Sequence, residues 1–339
     1  MAREVVGKGG TGRLEWNNGI AVTVRQFRED SRGASVEVQF VYSNGTGKSL
    51  PLHTPSRVSL TSPSSRRTLS RELGLLQAGT ILEATEWPQL IEEMSILTLT
   101  RFRQGEPALA LGPRIRQGTP WLLKPLLLKD YPTLLYGEGG SGKSLLALLF
   151  GAIVQLGSAE PILGLHPQYA HVLYLDWEMS ADEFQHRLAI ITNGLHGDFP
   201  SDFDMHYRYC GRPLVDDELA IQDIVMSQNI GLVIIDSAGL AIGREAEKSE
   251  PVLAFHTALR ELKVTSLIID HVRKDGMEGH RPTPYGNIYK ENAARSTWLV
   301  KIHQESASNE ADIALTHQKR NFTGVLPAMG FHLQFLESA

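Results

Sequence analysis

The 339-residue sequence predicts an α/β protein: a domain built on a mainly parallel sheet, preceded by a small β-rich domain. Three observations carry this. Four short apolar runs, Thr133–Tyr136, Val172–Leu175, Leu232–Ile235 and Ser266–Ile269, are near-continuous, as in strands covered on both faces. Helical stretches lie between them, as βαβ units require. The first hundred residues instead alternate apolar and polar with period two, the mark of half-buried strands.

Taken in order, Ile20–Phe27 sets Ile20, Val22 and Val24 against Ala21, Thr23 and Arg25, and Val36–Tyr42 repeats the pattern. Asn17-Asn18-Gly19 and Asn44-Gly45 suit turns. Arg57–Leu60 predicts a further strand, and Arg67–Gln77 and Trp87–Thr100 predict helices. The β-rich domain therefore spans 1–105. Gln104–Pro120 is rich in Gly and Pro, which makes 106–120 a linker. The α/β domain fills 121–339.

The formal charge of −5 is mild, but it is unevenly spread. Residues 1–116 hold 15 Lys/Arg against 11 Asp/Glu, and the remainder 18 against 27. This split permits a nucleic-acid partner without requiring one. Cys210 is the only cysteine, which excludes an intramolecular disulfide and a cysteine metal cluster and fits a reducing cytoplasm. No apolar run reaches the roughly 18 residues of a membrane span, and the N-terminus lacks a signal-peptide core. A cytoplasmic location with no membrane partner is the expectation.

After the strand Thr133–Tyr136 comes Gly137-Glu138-Gly139-Gly140-Ser141-Gly142-Lys143-Ser144, and then the helical run Leu145–Val154. This is G-x-x-x-x-G-K-[ST] in its strand–loop–helix setting. Glycines let the backbone close on a phosphate, its amides point inward, and the helix N-terminus, including the Leu145 amide, adds positive potential. Lys143 would reach the β- and γ-phosphates and the Ser144 hydroxyl would ligate Mg²⁺, so ATP with Mg²⁺ is the implied ligand. Gly47-Lys48-Ser49 and Gly7–Gly12 lack this setting and read as turns or a flexible arm.

Two other apolar strands end in acid. Leu232-Val233-Ile234-Ile235-Asp236 places Asp236 at the ligand crevice of an open sheet, where it can hold Mg²⁺ through water. Val172–Leu175 leads into Asp176-Trp177-Glu178-Met179-Ser180. Glu178 is the candidate general base for the attacking water, with Asp176 as its competitor, because spacing alone does not separate them. Ser180-Ala181-Asp182-Glu183 has the form of a capping box.

This order of motifs resembles the RecA-fold ATPases. It looks closest to the hexameric replicative helicase branch, plasmid RepA-type helicases and the related AAA ATPases of phages and plasmids. The tripeptide at 178–180 matches DnaB-type helicases, in which the glutamate is catalytic. Leu267-Ile268-Ile269-Asp270-His271 resembles the RepA strand ending in His-His, with Asp270 in place of the first. The resemblance makes His271 the sensor of the γ-phosphate. Asn292-Ala293-Ala294-Arg295-Ser296-Thr297-Trp298 is similar to the segment that contributes an arginine finger, which implies that Arg295 acts on a neighbouring subunit's nucleotide, with Arg320 the second choice. Lys319 and Asn321 match the terminal Lys-x-Asn-Tyr-Gly strand, with Phe322 for Tyr and Thr323 inserted, and Lys319 and Arg320 are then nucleotide contacts. A homo-oligomeric, six-membered ring acting on single-stranded DNA is what the resemblance implies.

In such motors, the loops after the third and fourth core strands touch DNA, here Ala241–Pro251 and Val272–Lys290. The second holds Arg273, Lys274, His280, Arg281 and Lys290 among glycines, a composition suited to gripping phosphates or to a plain solvated connection. Trp16, Phe27, Phe40 and Tyr42, near Arg25, Arg28, Arg32, Arg66 and Arg67, could stack on bases or fill a core. Two rivals stand beside the motor. One is a nucleotide-gated assembly, loader or adaptor ATPase that separates no strands. The other is a small-molecule kinase, against which Glu178 and the lack of an arginine-rich lid argue.

Overall fold

The computed structural model describes residues 3–6, 12–43, 49–105, 108–115, 118–195, 199–200, 202–272, 283–285, 287–321, 324 and 326–335. The turn expected at Asn44-Gly45, Gly47-Lys48 and most of Gly7–Gly12 lie outside them. The chain divides into two compact units, residues 1–114 and 115–339.

In the first unit β1 (Arg3–Val6), β2 (Gly12–Glu15), β3 (Ile20–Asp30), β4 (Gly33–Ser43) and β5 (Ser49–Pro51) form an antiparallel sheet in sequence order, and β6 (Ser56–Ser59) also pairs with β4. Alternation decides which face is covered: Val22, Val24, Val36, Val38 and Phe40 are buried against α1 (Pro63–Leu76) and α2 (Trp87–Gln104). Helix α1 begins four residues before the expected Arg67, because Ser62 accepts the Ser65 amide and Pro63 fits the first turn. Asn18 Oδ1 accepts the Ile20 amide, and Gly19 takes a positive φ of 81° to complete the predicted turn. The aromatic residues serve packing. Phe40 and Trp16 are buried in the core, Phe27 stacks on Phe102 at 4.4 Å, and Arg66 pairs with Glu92. The stacking platform considered from sequence is therefore not offered by Phe40 or Trp16.

The second unit opens with β7 (Trp121–Lys124) and β8 (Leu127–Leu128), which join β10 (His166–Pro167) in a small antiparallel sheet. Its main sheet uses β9 (Pro132–Gly137), β11 (His171–Asp176), β12 (His206–Tyr209), β13 (Ile230–Asp236), β14 (Thr265–His271), β15 (Ser296–His303), β16 (Glu310–Arg320) and β17 (Met329–Gln334). Their order is β12-β11-β13-β14-β9-β15-β16-β17. The first six are mutually parallel, as the four apolar runs predicted. The last two leave the sheet mainly parallel, as expected. They return antiparallel through a short connection with no crossover helix.

Helices α3 (Lys143–Leu156), α4 (Ala181–Gly194), α5 (Leu214–Ser227), α6 (Ala238–Ile242), α7 (Ser249–Glu261) and α8 (Tyr289–Ala293) complete the unit. Successive residues of β13 feed two different cores. Leu232 and Ile234 pack with α3 and α4 residues, Val233 and Ile235 with α5 and α7 residues. Burial on both sides is the physical reason these strands lack polar alternation. Gly151 lets α3 lie close on the sheet: a Cβ there would meet Ile234 Cδ1 at 2.8 Å and Met205 Cε at 3.0 Å. Ser180 caps α4 as the sequence predicted, accepting the Glu183 amide at 3.2 Å.

Candidate nucleotide site

The sheet delivers the glycine loop from the carboxyl end of β9, between β14 and β15. Gly137 is locked in the sheet, since a Cβ there would lie 2.5 Å from Val300 O. Gly140 and Gly142 hold φ of 74° and 81°, the left-handed region that glycine reaches without strain. Gly142 is also the N-cap of α3, so the amides of Lys143, Ser144 and Leu145 open the helix at the end of the loop that contains Glu138, Gly139, Gly140 and Ser141.

Lys143 is buried, and its Nζ donates to Gly137 O at 3.1 Å, to Glu138 O and to Ser141 Oγ at 3.3 Å. Burial lowers its pKa; Asp236, Asp270, Glu178 and Glu138 pull the other way. Ser144, at the start of α3, lies near enough to the Asp236 side chain to favour its charged form by hydrogen bonding. Tyr174 Oη donates to Asp236 Oδ2 at 2.6 Å. Burial raises the Asp236 pKa, these hydrogen bonds oppose the rise, and Glu178 and Asp176 add to it.

Asp176 and Glu178 part company here. Asp176 is fully buried, and its Oδ1 accepts the amides of Glu178 (2.8 Å) and Met179 (2.9 Å). Glu178 is exposed and accepts a hydrogen bond from Ser237 Oγ at 2.7 Å. His271 lies beside Gly137 in the β14–β9 register, its amide tied to Asp270 Oδ1 and its carbonyl accepting Tyr285 N at 2.7 Å. Cys210 is buried, and burial pushes its thiol up to about 11, so it is no nucleophile at neutral pH.

Several expectations change. Lys290, expected in a DNA-gripping loop, is buried on α8 and pairs with Asp270 at 3.0 Å, with both side chains 2% exposed. Arg273, Lys274, His280 and Arg281 lie outside the described residues. Ala241–Pro251 holds the end of α6, a turn at 243–248 and the start of α7, and its Lys248 pairs with Glu245. Lys319 Nζ donates to the carbonyls of Glu291, Asn292 and Ala294 at 2.8–2.9 Å, holding the end of α8. Arg320 pairs in register with Ser296. Arg295 is exposed, and its amide donates to Pro132 O at 2.9 Å. It therefore sits at the opposite end of β9 from the loop, about 16 Å from Gly137 at strand rise. Lys319, Arg320 and Arg295 thus share one sheet edge, while Lys143, Ser144, Asp236, Glu178 and His271 share the other.

Sequence reasoning missed Tyr174, Ser237 and the Asp270–Lys290 pair. A tyrosine inside an apolar strand was the available signal, because a buried hydroxyl requires a partner.

Together the strand–loop–helix and the acid-tipped neighbouring strands, on a mainly parallel sheet, define a P-loop α/β domain, joined to a β-rich N-terminal unit. A model of the AAA domain family matches residues 111–277, the segment that carries Lys143, Glu178, Asp236 and His271. Over that segment the chain is similar to AAA-type ATPases. Among solved structures, a KaiC-like protein from the hyperthermophilic archaeon Pyrococcus horikoshii OT3 is similar at 19% identity and a TM-score of 0.43, covering 65% of this chain and 94% of that one. No curated protein matches the chain. No helix among the described residues is long and apolar enough to cross a membrane.

The oxygens present fit Mg²⁺. No group of three His, Cys, Asp or Glu side chains among the described residues converges on a metal position. Magnesium needs no such cage, since it takes one or two protein oxygens and completes its shell with phosphates and water. Ser144 and Asp236 would supply that pair.

Proposed function

We propose that the chain is an ATP-hydrolysing, ring-forming RecA-fold motor that acts on single-stranded DNA, of the RepA-type helicase kind. The observation that carries this reading is the convergence of Lys143, Ser144, Asp236 and Glu178 at one edge of the sheet. The loop amides and Lys143 bind the phosphates. Mg²⁺ held by Ser144 and Asp236 would neutralise charge on the β- and γ-phosphates. Glu178, free of the structural duty that occupies Asp176, orients the attacking water and takes its proton. His271, beside Gly137, is positioned to sense the γ-phosphate and pass its state to the segment that follows.

Arg295 cannot reach the loop of its own chain, so its role belongs to a neighbouring copy. An arginine supplied in trans raises the rate by about 10³–10⁵. Arg320 lies on the same edge, and its nucleotide contact is likewise with a neighbour, whereas the Lys319 ammonium is spent on three carbonyls of its own chain. The basic residues Arg273, Lys274 and Arg281 support DNA contact after β14.

The test is steady-state ATP hydrolysis with and without single-stranded DNA, alongside the mass of the assembly with a non-hydrolysable analogue. Hydrolysis that DNA stimulates, lost in Lys143→Ala, is expected. Hydrolysis and assembly indifferent to DNA would leave a nucleotide-gated loader or adaptor. Absence of nucleotide binding in the intact protein would sink both.

A further inference from the structure

At the sheet edge opposite the phosphate loop, the starts of β9 and β14, the end of α7 and the residues between α8 and β15 enclose a cavity of about 360 Å³. Arg260, Lys263 and Arg295 line it, with Asp130 the one carboxylate in its wall. His256 also lines it, 4% exposed, its Nε2 buried with no hydrogen-bond partner. The loop edge has the opposite character, with Glu138, Glu178, Asp236 and Asp270 acting on Lys143, and a bound triphosphate adds further negative charge there. A molecule acidic at one edge and basic at the other is built for head-to-tail contact between copies. The volume admits a phosphate chain or a single ring and excludes a duplex.

We propose that this cavity is a phosphate-contacting site that works across a subunit boundary, where Arg260 and Lys263 join Arg295 against the nucleotide held by the next copy's loop. The inference rests on the ring-forming ATPase reading and adds two contacts to it. Guanidinium forks on a phosphate chain give directional as well as electrostatic hold, so Arg260 shares the work of Arg295.

Both added residues are exposed, so their replacement leaves the fold intact. Arg260→Ala and Lys263→Ala in the full chain are expected to lower kcat by about tenfold or more, part of what an arginine finger supplies. The loss should fall on kcat more than on binding of a fluorescent ATP analogue, because each loop is untouched. The decisive step mixes Arg260→Ala with Lys143→Ala, whose loop is dead but whose cavity is intact. Equal mixing should restore up to about a quarter of the wild-type rate, the share of head-to-tail contacts that pair a working loop with a working cavity. Loss of activity with no recovery on mixing would overturn the proposal, since the residues would then act within their own chain. Full activity in Arg260→Ala and Lys263→Ala with loss in Arg295→Ala would overturn it while sparing the ring reading. Full activity in Arg295→Ala would remove the trans arginine as well.

Discussion

Asp176 and Glu178 carry the same chemical group two residues apart, and their surroundings give them different work. Two backbone amides hold Asp176 in a fully buried position, while a single hydroxyl holds the exposed Glu178. Glu178→Gln should lower kcat by about 10²–10⁴ with folding and ATP binding unchanged, the usual worth of a general base. Asp176→Asn turns an acceptor pinned by two amides into a weaker one and should cost about 1–3 kcal/mol of stability. Kinetics and thermal unfolding of the two variants separate these outcomes. Unchanged turnover in Glu178→Gln would pass the base role to Asp176.

His256 yields a second prediction at this scale. Burial, then Arg260 and Lys290, lower its pKa from 6.5 to about 4. The unfolded chain takes up this proton near its ordinary pKa and the folded chain only near the depressed one. The contribution to stability is therefore full above about pH 6.5 and is lost as pH falls toward about 4, on the order of 3 kcal/mol. Unfolding free energies measured across that range should decline less steeply in His256→Leu than in the wild type.

At the scale of elements, helix α3 sits close on the sheet because Gly151 has no side chain. Gly151→Ala drives a methyl onto Ile234 and Met205 and should cost about 1–3 kcal/mol, read as a lowered unfolding midpoint. Lys319 is one side chain serving three carbonyls at the end of α8. Lys319→Met should loosen that turn, cost about 1–3 kcal/mol and speed amide exchange in residues 291–295.

Legibility follows how local each signal is. The loop from Gly137 to Ser144, and Asp236 at the tip of its strand, could be read because contiguous residues carry the whole chemistry. The four central strands could be read because burial on both faces leaves unbroken apolar runs. The Asp270–Lys290 pair could not, since it joins residues on either side of a long connection and only the folded sheet brings them together. Lys290 was misread for the same reason: composition counts a lysine as solvent-facing until a buried partner is known. Arg295 was suggested by resemblance, and the strand register alone placed it away from the loop of its own chain.

For the whole molecule, the two oppositely charged edges predict assembly that depends on salt. Screening shortens the Debye length from about 10 Å at 0.1 M to about 3 Å at 1 M. The mass by light scattering should fall across that range, and less so with a nucleotide analogue bound, since a ligand gripped from both sides adds contacts. A mass unaffected by salt would place the burden of association on apolar contacts instead.

His271 and Val272 at the end of β14 are tied to Tyr285 and Pro284 like the two posts of a gate. Val272 bridges to Pro284, the Tyr285 amide meets the His271 carbonyl, and Lys290 closes on Asp270 beneath them. Foreign peptide spliced inside that gate would hang from a fastened hem. Each doubling of its length should cost only about 0.6 kcal/mol in closure entropy. This makes it the place to graft a reporter or a new recognition sequence while the edge that carries the glycine loop keeps its shape.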